Sequence, residues 1–172
     1  MSRNTKIVAI VAASLIVAVA VLAWLSRDYI LQRQALQESG TFIITAGGEQ
    51  HVVTMSDLEA IGPSVIDANY KTNLMPAEQK KYTGVPLAGL LEYLGVDCSD
   101  ARSVSFSASD GYVTAASIAD AMDSESCFIV FLESGKPLGT RESGGIGPYM
   151  VIFASDRFSQ RWCKYLLEIA VR

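Results

Sequence analysis

The hydrophobic and polar positions divide the chain into three regions. Residues 7–25 form an apolar run without a single charge, and residues 26–40 are polar and rich in helix-forming residues. From residue 41 onward, short apolar segments alternate with polar turns. The pattern predicts one long apolar helix, a polar stalk that prolongs it as far as Gly40, and a domain at residues 41–172 built from short elements.

The apolar run has the length of a membrane span. Nineteen residues in a helix cover about 28 Å, close to the hydrocarbon thickness of a bilayer. Arg3 and Lys6 precede the run, as in a signal-anchor, with residues 1–6 as a cytoplasmic tail. A cleaved signal peptide, cut after Ala18-Val19-Ala20, is the alternative. We expect a single-pass protein of the cell membrane, anchored through residues 7–25, with its carboxy-terminal domain outside the cytoplasm.

The alternation in residues 41–172 predicts many short strands with short helices between them. Period-two or wholly apolar stretches predict strands at 41–45, 51–55, 64–70, 104–108, 112–115, 127–132, 149–153 and 166–171. Helices are predicted at 56–62, where Ser56-Asp57-Leu58-Glu59 matches a capping box, and at 87–94, 117–122 and 156–164, with loops at 73–81 and 139–147. This order indicates an α+β domain with a mixed, mostly antiparallel sheet.

Composition excludes several classes of function. The formal net charge is −4, so the chain lacks the positive field that general binding of nucleic acid requires. The one histidine, His51, lies in a predicted strand, and no Gly-x-Ser-x-Gly segment presents a serine nucleophile. Cys98, Cys127 and Cys163 form no Cys-x-x-Cys pair, which argues against zinc, haem and thioredoxin-type sites. Three cysteines allow at most one internal disulfide, with three possible pairings.

One glycine-rich segment and a few cations remain as candidates for chemistry. Gly144-Gly145-Ile146-Gly147 lacks the Gly-Lys-Ser/Thr ending of a phosphate loop and precedes a predicted strand, so it is better explained as a connecting loop. Arg141, Arg157, Arg161 and Lys164 would form an anion-binding rim if this loop folds towards the carboxy-terminal segment. Solvated surface charge is the alternative for each of them.

Several short motifs follow one another in a defined order. They are Thr83-Gly84-Val85-Pro86-Leu87, Asp110-Gly111-Tyr112, Ser134-Gly135-Lys136-Pro137-Leu138, Gly147-Pro148 and Arg161-Trp162. As a set they resemble the molybdopterin-binding domain of the sulfite-oxidase type of oxidoreductases, over roughly residues 41–171. The resemblance implies the sulfite-oxidase-like α+β fold and a molybdenum cofactor, molybdopterin, whose metal is bound by one cysteine thiolate.

The residues that the family uses for its metal are not all present. The ligand cysteine is expected in Ser64–Tyr70, a segment without cysteine, and no cysteine elsewhere can be carried over as a metal ligand. The arginine expected after the Gly-x-Pro motif is missing too, with Met150 in its neighbourhood, whereas Arg161 keeps a positive charge near a cofactor-contacting position. The fold is therefore expected to carry over, and the molybdenum chemistry is not.

Three hypotheses about function follow. In the first, the domain has lost molybdenum and binds a protein partner or a small ligand. In the second, it is an oxidoreductase that holds molybdopterin or another cofactor in an atypical site, with Tyr112, Arg141 and Arg161 as cofactor-binding candidates. In the third, one of the three cysteines carries thiol-redox chemistry, which requires a thiol with a lowered pKa.

Overall fold

The computed structural model describes residues 3–72 and 76–172. It divides into two compact units, Met1–Leu36 and Gln37–Arg172. Helix α1 (Arg3–Ser39) contains both the apolar run of residues 7–25 and most of the predicted stalk. It ends before Gly40, whose φ of 62° is left-handed, the usual glycine stop of a helix.

A search of the described residues found no helix that is both long and apolar enough to cross a membrane.

The second unit is an α+β domain of short strands and helices. Its strands are β1 (Phe42–Ala46), β2 (Glu49–Val53), β3 (Ser64–Tyr70), β4 (Glu78–Pro86), β5 (Ser103–Ala108), β6 (Val113–Ser117), β7 (Cys127–Glu133), β8 (Lys136–Pro137), β9 (Met150–Phe153) and β10 (Leu166–Val171). Its helices are α2 (Met55–Ile61), α3 (Leu87–Tyr93) and α4 (Ile118–Met122), with a 3-10 turn at Ser159–Arg161. The order of elements agrees with the alternation in the sequence.

The strands form two sheets rather than the single sheet that was predicted. In the described part of the chain, one sheet has the order β2-β1-β10-β5-β6, and the other has β3-β4-β7-β8 with β9 also paired to β7. Strands β1 and β10 run parallel, and the other pairs are antiparallel. The prediction of a mixed, mostly antiparallel arrangement is therefore confirmed, because the only parallel pair among these strands joins the two ends of the domain.

One core of buried apolar side chains joins both sheets and the short helices. Phe106 on β5 meets Phe153 on β9 edge to face, with ring centroids 5.9 Å apart, so the two sheets contact each other directly. Phe42 on β1 packs on Tyr149 in the same way at 5.0 Å. The Tyr149 hydroxyl donates to the Gly40 carbonyl at 2.8 Å, which ties the start of the domain to its core. Such burial is the main favourable contribution to stability.

Two predicted elements differ from the observed ones. Residues 78–81 were predicted to be part of a loop, but they begin β4. They pair with β3 in one long hairpin, whose register runs from Tyr70 opposite Glu78 to Ser64 opposite Gly84. Residues 73–75 of the predicted loop lie outside the described residues. The helix predicted at 156–164 is only the turn Ser159–Arg161. Its first residue donates through both its backbone N–H (3.0 Å) and its hydroxyl (2.7 Å) to the Lys71 carbonyl, which holds the segment against β3 instead.

The capping box of helix α2 lies two residues before the predicted one. Thr54 is the N-cap, and the Asp57 carboxylate accepts from the Thr54 backbone N–H at 2.8 Å and from its hydroxyl at 2.6 Å. These bonds lower the pKa of Asp57, and the bond from the Thr54 hydroxyl has the largest effect. Both Thr54 and Ser56 precede an acidic residue at the required spacing, so the sequence alone did not distinguish them.

Removing this cap gives a prediction for stability. Asp57→Ala is expected to lower the free energy of unfolding by about 1 kcal/mol at neutral pH. Since the pKa of Asp57 is lowered on folding, its contribution is present above the ordinary value of 3.8 and is lost as the pH falls below it. Urea titration of both proteins at neutral and acid pH measures the difference. The control Glu59→Ala changes an exposed carboxylate of the same helix, and an equal effect of the two substitutions would contradict the capping role.

Candidate functional site

A cavity of about 300 Å³ lies where β3, β4 and β7 meet the glycine-rich loop. Its polar lining consists of Tyr70, Lys80, Tyr82, Glu133 and Lys164, and its apolar lining includes Leu138, Ile146 and Met150. We call it the Lys80–Lys164 pocket. It brings together residues from six separate segments of the domain, which is typical of ligand sites.

Strand pairing positions one side of this pocket. Lys80 and Tyr82 lie two residues apart on β4 and therefore on the same face of the sheet, and Tyr82 is paired with Glu133 on β7. The Lys80 Nζ donates to Glu133 Oε1 at 2.6 Å. This bond with Glu133 raises the pKa of Lys80 against the opposing effect of burial, so Lys80 is charged at neutral pH.

The two tyrosine rings that line the pocket, Tyr70 and Tyr82, both pack against Trp162. Trp162 is almost fully buried, and its ring centroid lies 5.7 Å from the centroids of both Tyr70 and Tyr82. The Trp162 indole N–H donates to the Phe153 carbonyl at 3.2 Å, which fixes the orientation of the ring. Burial raises the pKa of Tyr82 well above its ordinary value. Tyr82 is therefore a neutral phenol throughout the physiological range.

Lys164 completes the polar lining from the carboxy-terminal segment. Its Nζ lies 3.4 Å from the Tyr70 hydroxyl and 5.3 Å from the centroid of the Tyr70 ring. Lys80 Nζ lies 5.2 Å from the same centroid. Within the described residues Lys164 has no carboxylate at ion-pairing distance, unlike Lys80. The pocket thus holds two ammonium groups and one carboxylate around a single phenol ring.

The glycine-rich loop, residues 139–147, forms the remaining wall and is held in a defined shape. Tyr165 donates through its hydroxyl to the Gly145 carbonyl at 2.9 Å and through its backbone N–H to the Ile146 carbonyl at 3.1 Å. A Cβ on Gly145 would lie 2.2 Å from the Leu138 carbonyl oxygen, so only glycine fits there. The glycines thus permit close packing of the loop against itself, which agrees with its interpretation as a connection and not a phosphate loop.

Arg161, the first of the predicted cofactor-binding residues, is bonded to carboxylates. Its Nε and Nη2 donate to the two oxygens of Asp156 at 2.8 and 2.6 Å, and its Nη1 donates to Asp120 at 3.1 Å. The guanidinium carbon lies 4.3 Å from the centroid of Phe153. The two carboxylates raise the pKa of Arg161, and Asp156 has the larger effect. Together they use three of the five N–H donors of the guanidinium.

Tyr112 and Arg141, the other two candidates, lie apart from each other. The Tyr112 hydroxyl donates to the Gln160 carbonyl at 2.6 Å. Tyr112 also lines a second cavity, of about 190 Å³, together with Asp110, Trp162 and Lys164. Arg141 is exposed on the glycine-rich loop, 5.9 Å from the Tyr165 ring. The structure brings Tyr112 close to Arg161 through Gln160 but does not gather all three around one pocket, and their role in binding stays a prediction.

The bonds of Arg161 predict a structural role that can be measured. Arg161→Gln is expected to lower the free energy of unfolding by about 1–2 kcal/mol, because the half-buried Asp156 loses two charge-assisted hydrogen bonds. In a double-mutant cycle with Asp156→Asn, followed by urea denaturation, the two changes should be clearly less than additive. The control Arg141→Gln should change stability by less than about 0.5 kcal/mol. Unchanged stability of Arg161→Gln would contradict this structural role.

The cysteines do not contribute to either cavity. All three are free; Cys127 and Cys163 are buried and Cys98 is half-buried. Burial raises the pKa of each thiol, to about 12 for Cys163, where the nearby Asp110 adds to the effect. A thiol-redox site needs a lowered pKa, so these thiols do not support the third hypothesis.

The described side chains of the domain lack the donors that the metal of a molybdenum cofactor needs. Segment β3, where the ligand cysteine is expected, supplies buried Ala68 and the phenol of Tyr70. Among the described residues no group of three or more His, Cys, Asp or Glu side chains could hold a metal ion. A soft thiolate is the donor the metal requires, and an ammonium group such as that of Lys80 repels a cation. These side chains do not fit the metal.

Sequence reasoning missed most of the pocket. Tyr70 lay at the end of a predicted strand, but Lys80 was in a predicted loop and Glu133 directly followed a predicted strand. The available signal for a strand with one buried face was Tyr82 between the polar residues Lys81 and Thr83. Lys164 was named only as part of an anion-binding rim, of which it alone lines the pocket.

Comparison with known proteins agrees with the fold. The crystal structure of the sulfane dehydrogenase SoxCD from Paracoccus pantotrophus superimposes with a TM-score of 0.63 at 16% sequence identity, over 76% of this chain and 37% of that one. At this identity the likeness shows the fold alone, and this chain spans little more than a third of that relative. No curated protein matches the chain. The family described as the oxidoreductase molybdopterin binding domain matches residues 45–172, nearly the whole domain. The chain therefore belongs to the oxidoreductase molybdopterin binding domain family, as its motifs indicated.

Proposed function

We propose that this chain is a member of the family that does not hold molybdenum and that acts as a binding module, with the Lys80–Lys164 pocket as its ligand site. One observation carries the proposal: on the strand where the family places its thiolate, the pocket presents the phenol of Tyr70 flanked by two lysines. A site that presents cations where the resemblance places a metal donor is suited to an anion instead of a metal.

The two buried cysteines of the domain, Cys127 and Cys163, offer no substitute donor. A metal-binding thiol must be deprotonated, whereas burial raises the pKa of Cys163 to about 12 and that of Cys127 further. Neither side chain is exposed at the surface. Recruiting either of them would require the core to open, which supports a function without molybdenum.

The test is the molybdenum and pterin content of the full chain. It should be purified from a host that makes and delivers the cofactor, beside a cysteine-bearing member of the family prepared in the same way. We expect the control to be loaded and this chain to contain neither metal nor pterin above background. Near-stoichiometric molybdenum in this chain would contradict the proposal.

A second candidate is an oxidoreductase that holds molybdopterin or another organic cofactor in an atypical site. The observation that favours it is the second cavity, where Tyr112 lies beside Lys164 and close to Arg161. Pterin fluorescence and visible absorbance of the purified chain test this alternative. A bound chromophore that is lost in Tyr112→Phe would support it.

The proposed location is the membrane, with the domain outside the cytoplasm. The support is the charge-free run at residues 7–25 and the cations Arg3 and Lys6 before it. Carbonate extraction of membranes, followed by protease treatment of intact cells, tests attachment and orientation separately. Release of the full chain by carbonate would contradict the anchor. A protein partner, the other ligand class considered for the module, would be sought by crosslinking in those membranes.

A further inference from the structure

We propose that the ligand of the Lys80–Lys164 pocket is a small carboxylate with an apolar body, and that Lys164 is the residue that binds its charge. The inference rests on the proposed function, because a pocket filled by molybdopterin could not take this ligand. It specifies the chemical class that the module recognises.

The charges of the pocket call for one negative charge. Glu133 is already paired with Lys80 at 2.6 Å, and both side chains are less than one-third exposed. The half-buried Lys164 has the phenol oxygen of Tyr70 at 3.4 Å, which is a neutral acceptor. A partly desolvated ammonium without a counter-ion is unfavourable. The carboxylate of Glu78 lies 4.0 Å from Lys80 Nζ, but that side chain is exposed and is not part of the lining. The lining itself has two positive charges and one negative charge, so a singly charged anion balances it, while a cation would be repelled.

The remaining lining matches an apolar body. Leu138 and Met150 are buried side chains, Ile146 packs against the core, and the rings of Tyr70 and Tyr82 supply aromatic surface. A bare oxyanion such as sulfate would leave these groups without contacts and would find lysines in place of the convergent arginines and backbone N–H groups that bind it well. The apolar surface therefore favours an organic anion over an inorganic one.

The volume limits the size of the ligand. If each non-hydrogen atom is allowed about 30 Å³, the share of one water molecule in the liquid, the cavity of about 300 Å³ holds roughly ten such atoms. Aromatic or branched acids of the size of phenylacetate meet this limit. A dinucleotide or a long acyl chain does not fit inside it.

Glu133 gives the proposal a second, opposite prediction. Its carboxylate competes with any ligand anion for Lys80, to which it is bonded. Glu133→Gln removes that competition and raises the net charge of the lining by one unit. We therefore expect Glu133→Gln to bind phenylacetate several-fold more tightly than the unmodified chain, although it weakens the hydrogen bond between this side chain and Lys80.

The experiment is a calorimetric titration of the full chain with phenylacetate, its uncharged isostere phenylacetamide, and sulfate. We expect saturable one-to-one binding of phenylacetate and binding of the amide weaker by roughly ten- to a hundredfold, the range for a hydrogen bond to a charged group. Sulfate should compete poorly. Equal affinity for phenylacetate and phenylacetamide, tighter binding of sulfate, or no saturable binding of phenylacetate would each overturn the ligand class.

Variants assign the charge recognition to Lys164. Lys164→Met should reduce phenylacetate affinity by at least about tenfold without changing that for phenylacetamide, and Lys164→Arg should retain part of it. The matched control is Lys81→Met, because Lys81 is exposed on the same strand as Lys80 but on the opposite face. Thermal unfolding curves show whether each variant is folded. Full phenylacetate affinity in Lys164→Met, or weaker binding in Glu133→Gln, would contradict the proposal.

The two proposals fail in different ways. A chain that contains molybdenum or pterin would contradict the proposed function before any titration. A chain free of both that binds no phenylacetate would contradict the ligand class alone.

Discussion

Gly84→Ala is expected to destabilise the domain by at least about 3 kcal/mol, a large part of the stability of a domain this size. An alanine Cβ at this position would lie 2.1 Å from the Ile129 carbonyl oxygen and 2.7 Å from the Val130 Cα. Both are backbone atoms of β7, so no side chain can rotate away to make room. Gly84 also pairs with Ser64 of β3 on its other side, which prevents β4 from moving aside.

The overlap has a local cause in the strand register. Between Thr83 and Gly84 the pairing of β4 with β7 shifts by one residue, so that Phe131 of β7 has no residue of β4 directly opposite it. Bulges of this kind bring two backbones unusually close, and glycine is the residue that tolerates it. The glycine of the Thr83-Gly84-Val85-Pro86-Leu87 motif is therefore explained by backbone packing.

Urea denaturation measures this prediction, with Gly89→Ala as the matched control. Gly89 lies in helix α3, and its added Cβ would meet only Ile61 Cγ2, at an ordinary 3.6 Å. In a helix interior alanine is favoured over glycine, so this variant should gain up to about 1 kcal/mol. If Gly84→Ala unfolds at the same urea concentration as the unmodified chain, the register of β4 against β7 is wrong.

The second large effect is a loss of stability in alkali. Folding raises the pKa of buried thiols and phenols by desolvation, to about 12 for Cys163 and for Tyr149 and also upwards for Cys127 and Tyr82. Above its ordinary pKa each group is deprotonated in the unfolded chain but still protonated in the folded one. The unfolded state then binds fewer protons, and the free energy of unfolding falls as the pH rises.

The pH window follows from these values. The decline begins near the ordinary thiol value of 9.0 and continues to about 12, and Cys163 alone contributes on the order of 4 kcal/mol across it. Lys80, whose pKa is raised by its bond to Glu133, adds a decline of the same sign at the upper end. The domain should therefore unfold at a lower alkaline pH than a comparable domain without buried titratable groups.

Urea titrations at neutral pH and at several alkaline values test this window. Cys163→Ala should be less stable than the unmodified chain at neutral pH, since it leaves a small cavity, and its stability should then fall less steeply with pH. Cys98→Ala is the control, because the Cys98 thiol is only half-buried. Parallel pH profiles for Cys163→Ala and the unmodified chain would contradict the assigned cause.

The sequence was sufficient for elements whose signal is local. The apolar stretch that became β7 and the alternation that became β5 each predicted a strand from a few neighbouring residues. The Asp110-Gly111 turn between β5 and β6 was predicted for the same reason, and the Asp110 carboxylate accepts from the Tyr112 backbone N–H at 3.0 Å. The family was also accessible, since its motifs are short segments in a fixed order.

The site depends on contacts that no local signal carries. Lys80 and Glu133 are 53 residues apart and Lys164 and Tyr70 are 94 residues apart. Arg161, in contrast, was singled out from the sequence, but its surroundings were not. Its charge made it a binding candidate, yet the carboxylates that neutralise it lie on separate elements, at Asp156 and Asp120. A side chain's type states what it can bind, but its neighbours in space decide whether it is available.

By itself, the sequence determined the α+β class, the family and the loss of the expected ligand cysteine, because these depend on residue identity and on periodicity over a few positions. Only the tertiary structure decided that the strands form two sheets, that β1 pairs in parallel with β10, and that two lysines converge on Tyr70. Hydrogen bonding between strands and the burial of side chains act between residues distant in sequence, so the charge balance of a pocket is settled only when those residues meet.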